Sequence, residues 1–258
     1  MKTQISNFFK YRDLLIELIV KDIKIKYRNS YLGVLWSLLN PLLMVIVLSI
    51  VFSTLFKHDI ANYPLYLLTG RLVYSYFAEA TNFAMDSIIV NSQLIKKVYV
   101  PKYFFPISRV ISSFVTSLIS LIPVVGVMIF TGVSFSLYNL LFFIPMLILM
   151  FISMGIGLIL STVTVFFRDL KHFYSILLTI VMYMTPIFYP ANIIPDKYRV
   201  LIEFNPLFPV LSMFRDVLIY QQRFNYFDLI VSFAYAVFFV VAGMIMFYKK
   251  QDRFIFYL

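Results

Sequence analysis

The chain has 258 residues, of which 62% are hydrophobic and only 13% charged, whereas a soluble domain carries a charge on roughly a quarter of its residues. This composition excludes a water-soluble globular protein. Cysteine is absent, which excludes disulfides and thiolate metal sites, and two histidines far apart in sequence, His58 and His172, do not indicate a metal site. The net charge of +10 does not indicate nucleic-acid binding, because the basic residues lie between apolar blocks.

Six apolar segments are predicted to cross the membrane as helices, because about 20 helical residues span the roughly 30 Å hydrocarbon core. They are Tyr31–Phe56, Tyr66–Val90, two segments within Val110–Phe167, Phe173–Tyr189 and Leu229–Tyr248. The segment Val110–Phe167 is charge-free and too long for one helix. We expect it to turn at Thr131–Asn139, where Gly132 and Asn139 interrupt the apolar run.

The distribution of Lys and Arg predicts that both chain ends are cytoplasmic, because cytoplasmic loops carry the excess of positive charge. Sixteen of the 22 basic residues lie before span one, between spans two and three, between spans four and five, and after span six. We therefore expect a multi-pass protein of the inner or plasma membrane.

Residues 1–30 contain an amphipathic segment, Phe8–Arg28, that we interpret as a helix lying in the cytoplasmic interface of the membrane. It has two faces about 100° apart. One face carries the apolar residues Ile16, Ile19, Val20, Ile23 and Tyr27, and the other carries the charged residues Glu17, Lys21, Lys24 and Arg28. The lysines would face anionic headgroups. The alternative is a simple topology anchor.

Two further segments are too short or too broken to span. Residues 91–106 form a basic loop around Pro101, which by itself only satisfies the positive-inside rule. Residues 186–228 hold five of the eleven prolines and two short helical stretches, Asp196–Glu203 and Pro209–Tyr220. A re-entrant helix pair entering from the outer face fits this pattern, and a surface loop is the alternative.

Polar residues follow one face of span two within an arc of about 80°: Arg71, Ser75, Glu79, Asn82 and Asp86. A charge that faces lipid costs at least ~2.5 kcal/mol, so this stripe must face water or other helices. Two interpretations are open, a polar wall along a conduit or ion pairs within the bundle.

Catalytic chemistry finds little support in the residues. A phosphate-binding P-loop requires G-x-x-x-x-G-K-[ST], and none of the seven glycines is followed by lysine. The twelve acidic residues lie mostly in the flanks of the spans. We expect no catalytic residue, metal or cofactor in this chain.

Four stretches, in order, resemble the permease subunit of type-2 ABC exporters that carry O-antigen, capsular polysaccharide or teichoic acid. They read IKIKYRNSYLGVLWSLLNPLL, SQLIKKVYVPKYFFPIS, FFRDLKHF and TPIFYPANIIPDKYRVLIEFNPLFPVLSMFRDVL. The resemblance covers most of the chain and implies one transmembrane domain over residues 1–258. It also implies a homodimer that binds two copies of a separate ATPase subunit, on which ATP and Mg²⁺ are held.

The resemblance further implies roles for several residues. The helix that docks in the ATPase comprises Gln93, Leu94, Ile95, Lys96, Lys97, Val98 and Tyr99. The proline-rich segment becomes an extracytoplasmic gate, with Phe214 and Leu218 as gate residues. The substrate is a glycan on undecaprenyl pyrophosphate, taken from the cytoplasmic leaflet.

The basic cluster Lys24, Lys26 and Arg28 is placed to bind that pyrophosphate, or alternatively to anchor lipid headgroups. Rival functions are an ABC permease for a drug or small lipid, a membrane enzyme of glycan assembly, and a passive channel.

Overall fold

The computed structural model describes residues 11–28, 33, 35–52, 60, 62–98 and 100–258. All regular secondary structure in these residues is helical, as predicted. The α-helices are α1 (Arg12–Tyr27), α2 (Leu35–Phe52), α3 (Tyr63–Val90), α4 (Ser92–Lys97), α5 (Phe104–Ile119), α6 (Leu121–Phe130), α7 (Phe143–Phe166), α8 (Leu170–Met184), α9 (Asp196–Glu203), α10 (Leu207–Leu218) and α11 (Tyr226–Lys250). Short 3-10 helices occupy Leu137–Phe142, Ala191–Ile193 and Gln251–Phe256.

Among the described residues, three helical stretches are long and apolar enough to cross a membrane: Phe104–Phe130, Leu137–Phe166 and Tyr226–Phe256. The shorter apolar helix Leu35–Val51 lies within the first predicted span, and Leu170–Met184 overlaps the fifth. Helix α3 has 28 residues, about 42 Å at 1.5 Å per residue, but it is less apolar because it carries charges. The expected count of six crossings stays a prediction.

Helix α3 is the centre of the bundle. It begins at Tyr63, where the Asn62 side chain accepts a hydrogen bond from the Leu65 amide at 3.3 Å and Pro64 occupies the first turn, both typical of a helix start. It contacts α2, α5, α6, α7, α8 and α10. Because protein surrounds it, its polar residues need not face lipid.

The charge-free region 110–167 turns where the sequence predicts. Helix α6 ends at Phe130, Gly132 adopts a positive φ of 72°, and the Ser136 and Asn139 side chains form a capping box at the next helix. Helix α5 begins earlier than expected, at Phe104 rather than near residue 110. It can include Arg109 because Asp22 of α1 pairs with that guanidinium at 3.3 Å.

Helix α1 packs on α5, and none of the residues that define its two predicted faces is among its buried residues. Leu15, Leu18 and Asp22 are its buried residues, and the two leucines join a small apolar cluster with Ile95 and Phe104. Asp22 lies on the buried face, where its carboxylate pairs with Arg109 of α5. Ile16 and Val20, from the expected apolar face, stay exposed and available to lipid.

Helices α7 and α11 cross so closely that glycine is required at the contact. A Cβ at Gly155 would lie 2.5 Å from the Phe239 carbonyl oxygen, and one at Gly243 would lie 2.5 Å from the Gly155 carbonyl oxygen. Small residues that let backbones meet are the usual device for helix association in membranes.

Substituting Gly155→Ala is therefore expected to destabilise the chain by about 1–3 kcal/mol, the usual cost of overpacking. Thermal unfolding in detergent measures the effect as a lower Tm. Gly126→Ala is the matched control, because no atom of the residues that the structure describes lies within 4 Å of a Cβ built there. Equal melting temperatures for the two variants would contradict the close crossing.

Candidate functional site

A half-open groove of about 350 Å³ lies between α1, α2, α3 and α5. Helix α2 contributes Trp36, Ser37 and Asn40 near its start, together with Pro41 and Met44. The groove is unusual in this bundle because charged and hydroxyl side chains make up much of its lining. It is therefore the candidate site for a polar ligand or a polar path.

One face of α3 forms the longest wall of the groove. Its lining residues, spaced three and four apart as on a helical face, are Leu68, Arg71, Leu72, Ser75, Tyr76 and Glu79. From Leu68 to Glu79 this wall extends about 16 Å at 1.5 Å per residue. The structure thus brings Arg71, Ser75 and Glu79 of the predicted stripe together on one surface.

The rest of the stripe lies outside the groove. Asn82 is half-buried and does not line it. Asp86 pairs with Lys171 of α8, with 2.7 Å between Oδ1 and Nζ. Of the two interpretations of the stripe, ion pairing describes Asp86 and also Glu79, which pairs with Lys26. A conduit wall formed by Arg71, Ser75 and Glu79 stays a prediction.

An ion pair between Lys26 and Glu79 stands at the end of the groove nearest α1. The Lys26 Nζ lies 2.5 Å from Glu79 Oε1 and 3.4 Å from Thr116 Oγ1. Of the basic cluster assigned to the pyrophosphate, Lys26 lines the groove, whereas Lys24 and Arg28 are exposed and do not. The pyrophosphate role of these three stays a prediction.

The Lys26 position depends on how α1 is held. Asp22 is one turn before Lys26, and its carboxylate, with a side chain only 6% exposed, pairs with Arg109 at 3.3 Å. Burial raises the pKa of the Asp22 carboxyl, and Arg109 and then Lys21 oppose that rise. Lys21 also donates to the Asn91 side chain at 3.4 Å. These contacts fix α1 against α5 and the end of α3.

Helix α5 supplies a row of hydroxyl groups that the sequence reading missed. Ser113, Thr116, Ser117 and Ser120 all line the groove, at spacings of three and four that could have been found in the sequence. Thr116 and Ser117 donate to backbone carbonyls at 3.0 and 2.7 Å. The buried Ser113 hydroxyl has no hydrogen-bond partner within the described residues.

Arg71 is half-buried on the groove wall. The ion pairs among the described residues involve other cations, and the groove carboxylate, Glu79, is paired with Lys26. The lining therefore carries two positive charges against one negative. Within the described chain no group of three His, Asp or Glu residues is placed to hold a metal ion.

Helix α4 presents a second candidate surface, at the opposite end of α3 from Tyr63. Gln93, Lys96, Lys97 and Val98 are exposed and Leu94 is half-buried. Ile95 is 7% exposed and packs in the apolar cluster of α1 and α5. Tyr99 lies outside the described residues. The arrangement leaves basic and polar side chains free to meet a partner, while Ile95 ties the helix to the groove walls.

The predicted gate residues Phe214 and Leu218 lie inside a single chain. They are 0% and 6% exposed, because α10 packs against α3, α7 and α11. Their gating role stays a prediction, and their burial means that it requires α10 to move. Four of the exposed apolar residues of this segment lie on and just after α9: Tyr198, Val200, Leu201 and Phe204.

Arg215, which the sequence reading did not single out, anchors α10. Arg215 is 6% exposed, and its guanidinium lies 3.4 Å from the Tyr66 ring centroid. The guanidinium donates to the carbonyl oxygens of Pro186 at 2.8 Å, Tyr66 at 3.2 Å and Ile187 at 3.4 Å. Tyr66 donates its hydroxyl to the Pro186 and Tyr189 carbonyls. A charge in an apolar segment was the signal that could have revealed this site.

Comparison with known proteins identifies the family. The model of the ABC-2 type transporter family matches residues 13–219. The chain is 34% identical to the O-antigen export system permease protein RfbA of Klebsiella pneumoniae over 94% of this chain and 93% of the relative, and 28% identical to RfbA of Myxococcus xanthus over 85% of each. It is 24% identical to the polysialic acid transport protein KpsM of Escherichia coli over 81% and 82%. A helical membrane chain with these relatives belongs to the ABC-2 type transporter family, as a non-catalytic permease subunit that works with a separate ATPase.

Proposed function

We propose that this chain is the permease subunit of an ATP-driven exporter that moves a lipid-linked polysaccharide of the O-antigen or capsule class across the inner membrane. The observation that carries the proposal is the groove, a charged and hydroxyl-rich surface enclosed by four helices of an otherwise apolar bundle. Relatives named for O-antigen and polysialic acid export support the polymer class.

The active unit in this proposal is a homodimer of six-span chains with two ATPase subunits. Helices α2, α3, α5 with α6, α7, α8 and α11 cross the membrane, α1 lies in the cytoplasmic interface, and α9 and α10 dip in from the outer face. The concentration of Lys and Arg on one side supports cytoplasmic termini.

Coupling in this proposal runs from α4 to the groove. The ATPase binds the exposed residues of α4, and Ile95 transmits its movement to Leu15 of α1 and Phe104 of α5, with which it shares an apolar cluster. Since α1 and α5 are two walls of the groove, rotation of α4 changes the groove opening. ATP and Mg²⁺ act on the partner subunit only.

The lipid-linked substrate enters from the cytoplasmic leaflet, where its pyrophosphate meets the basic face of α1. Hydroxyl side chains of α5 then offer hydrogen bonds to sugar hydroxyls, and Trp36, 52% exposed on α2, offers an aromatic face. The movement of α10 opens the outer side. This sequence of contacts requires no bond chemistry from the chain.

The test is reconstitution in proteoliposomes, with the purified chain alone and with its partner ATPase. We expect no ATP turnover by the chain alone. The complex should hydrolyse ATP, lipid-linked polymer should stimulate that hydrolysis, and the complex should move polymer across the bilayer. Equal stimulation by small drugs or short lipids would favour the drug-permease alternative. Chemical alteration of the glycan would favour a membrane enzyme of glycan assembly. Polymer movement in the absence of ATP would favour a passive channel.

A further inference from the structure

Helix α8 is held against the bundle along one narrow face. Tyr174 and Leu178 are its buried residues, whereas its exposed apolar side chains are those of Phe173, Ile176, Leu177, Ile180 and Tyr183. Lipid is as apolar as these side chains, so the membrane itself gives little force that would press such a helix onto its neighbours. Specific contacts with the neighbouring helices are then what fixes its position.

Three polar contacts join α8 to α3, and on α8 they are spaced three and four residues apart, as on one helical face. The contacts are the ion pair of Lys171 and Asp86, with 2.7 Å between Nζ and Oδ1, the hydrogen bond from the Tyr174 hydroxyl to Thr81 Oγ1 at 2.6 Å, and the hydrogen bond from the Tyr74 hydroxyl to the Leu178 carbonyl at 2.9 Å. The two helices run in opposite directions, so these contacts follow each other along both of them.

The same pattern continues into the turn that follows α8. Tyr66 of α3 donates its hydroxyl to the Pro186 and Tyr189 carbonyls at 3.3 and 3.0 Å. Tyr63, at the start of α3, donates to the Phe188 carbonyl at 2.9 Å. Together with the three contacts to α8, these hydrogen bonds form a polar ladder along α3. The ladder ties α8 and its following turn to α3 over most of the length of that helix.

The other end of α3 passes directly into α4. Asn91 lies at the junction, and its side chain donates to the Ser87 carbonyl of α3 at 2.7 Å. The Asn91 carbonyl accepts hydrogen bonds from the amides of Leu94 and Ile95 of α4, both at 3.0 Å. The two helices therefore share one hydrogen-bonded corner, so a displacement of α4 acts directly on α3.

We propose that α3, α8 and the turn after α8 move as one unit during transport, and that the polar ladder is what joins them. This inference rests on the proposed function, because it names the path by which a movement of α4 reaches the outer side. The turn also accepts hydrogen bonds from Arg215 of α10, so the same unit holds α10. Helix α8 therefore does not separate from α3 of its own chain when the conduit opens.

A reversible cross-link tests whether α8 stays on α3. The chain contains no cysteine, and the side chains of Lys171 and Asp86 are 42% and 37% exposed, so a reagent can reach both positions. The double variant Asp86→Cys/Lys171→Cys is treated with a short bifunctional thiosulfonate before it is assembled with the ATPase in proteoliposomes. We expect the cross-linked sample to export polymer as fast as the same sample after reduction.

Two controls accompany the cross-link. Asp86→Cys alone, treated with the same reagent, measures the effect of modification without a link, and mass spectrometry verifies that the link lies within one chain. Loss of export on cross-linking, with recovery on reduction, would show that α8 must leave α3 and would overturn the inference.

Removal of two hydroxyl groups tests whether the ladder carries the movement. Tyr74→Phe with Tyr174→Phe deletes two of the contacts and keeps both rings. We expect the amount of polymer exported per ATP hydrolysed to fall severalfold, while ATP hydrolysis and co-purification with the ATPase stay close to the parent, because α4 is unchanged. Tyr183→Phe is the matched control, since Tyr183 is 62% exposed on the same helix, and it should leave the ratio unchanged.

The ratio of polymer exported to ATP hydrolysed separates this role from a purely structural one. A loss of stability alone would lower export and ATP hydrolysis together, in proportion to the amount of folded complex. An unchanged ratio in the double variant, with ATP hydrolysis at the level of the parent, overturns the inference even if the proposed function stands. A parent complex that hydrolyses ATP but moves no polymer would instead overturn the proposed function, and with it the transport role of the ladder.

Discussion

Replacing Arg215 with methionine is expected to lower the stability of the chain by about 2–4 kcal/mol and to abolish polymer export. The substitution keeps an unbranched chain but removes the donors to the Tyr66, Pro186 and Ile187 carbonyls. The Pro186 and Tyr66 carbonyls keep the Tyr66 and Thr69 hydroxyls as donors, whereas the Ile187 carbonyl loses its donor, at a cost of about 1–3 kcal/mol. The contact of the guanidinium with the Tyr66 ring is also lost. Thermal unfolding in detergent measures the first effect, and transport by the reconstituted complex measures the second.

Arg223→Met is the control for this experiment. Arg223 lies in the same proline-rich region but is exposed and only approaches the Tyr226 ring, at 5.2 Å, so its loss should change the Tm little. The Tm of Arg215→Lys should lie between those of Arg215→Met and Arg223→Met, because a single ammonium group replaces the planar guanidinium and its several donors. A Tm for Arg215→Met within the error of Arg223→Met would show that the buried guanidinium does not hold α10 in place.

Replacing Lys96 and Lys97 together with glutamate is expected to separate the chain from its ATPase and stop ATP-driven export. Both side chains are exposed at the end of α4, so reversal of their charge leaves the core intact while it changes the surface that the ATPase is proposed to bind. Co-purification of the two subunits measures binding, and the Tm of the chain alone should stay within a degree or so of the parent, as for a surface change.

The matched control carries the same double reversal at Lys249 and Lys250. These lysines are also exposed and stand at the end of α11, so they present an equal change in charge on a different helix. We expect this variant to retain the ATPase. If both double variants co-purify with the ATPase as the parent does, the lysines of α4 make no significant contribution to docking.

The sequence predicted several elements closely because prolines and charges mark their ends. The short helix Asp196–Glu203 is α9 as observed, and the predicted Pro209–Tyr220 corresponds to α10, Leu207–Leu218. The turn within 110–167 was predicted from Gly132 and Asn139. These signals are local, since the backbone limits of proline and glycine act on their own residue and its neighbours.

Faces and partners were predicted less well. The face of α1 that packs on α5 includes Asp22 and its pairing with Arg109, and the periodicity of apolar residues gave no prediction for that face. The anchoring role of Arg215 was not predicted, because its partners are backbone carbonyl groups of α3 and of the turn after α8. A backbone carbonyl has no signature in a sequence, so such a partner can be found only from coordinates.

By itself the sequence determined that the chain is a helical membrane protein without a P-loop, and which residues of span two share a helical face. These properties follow from transfer free energies and helix geometry, which add up locally along the chain. Only the tertiary structure decided that Lys26 meets Glu79, that Arg71 lines the same groove as the α5 hydroxyls, and that Asp86 pairs elsewhere. Those relations depend on how helices far apart in sequence pack, because the energy of a buried charge is set by the groups that surround it in space.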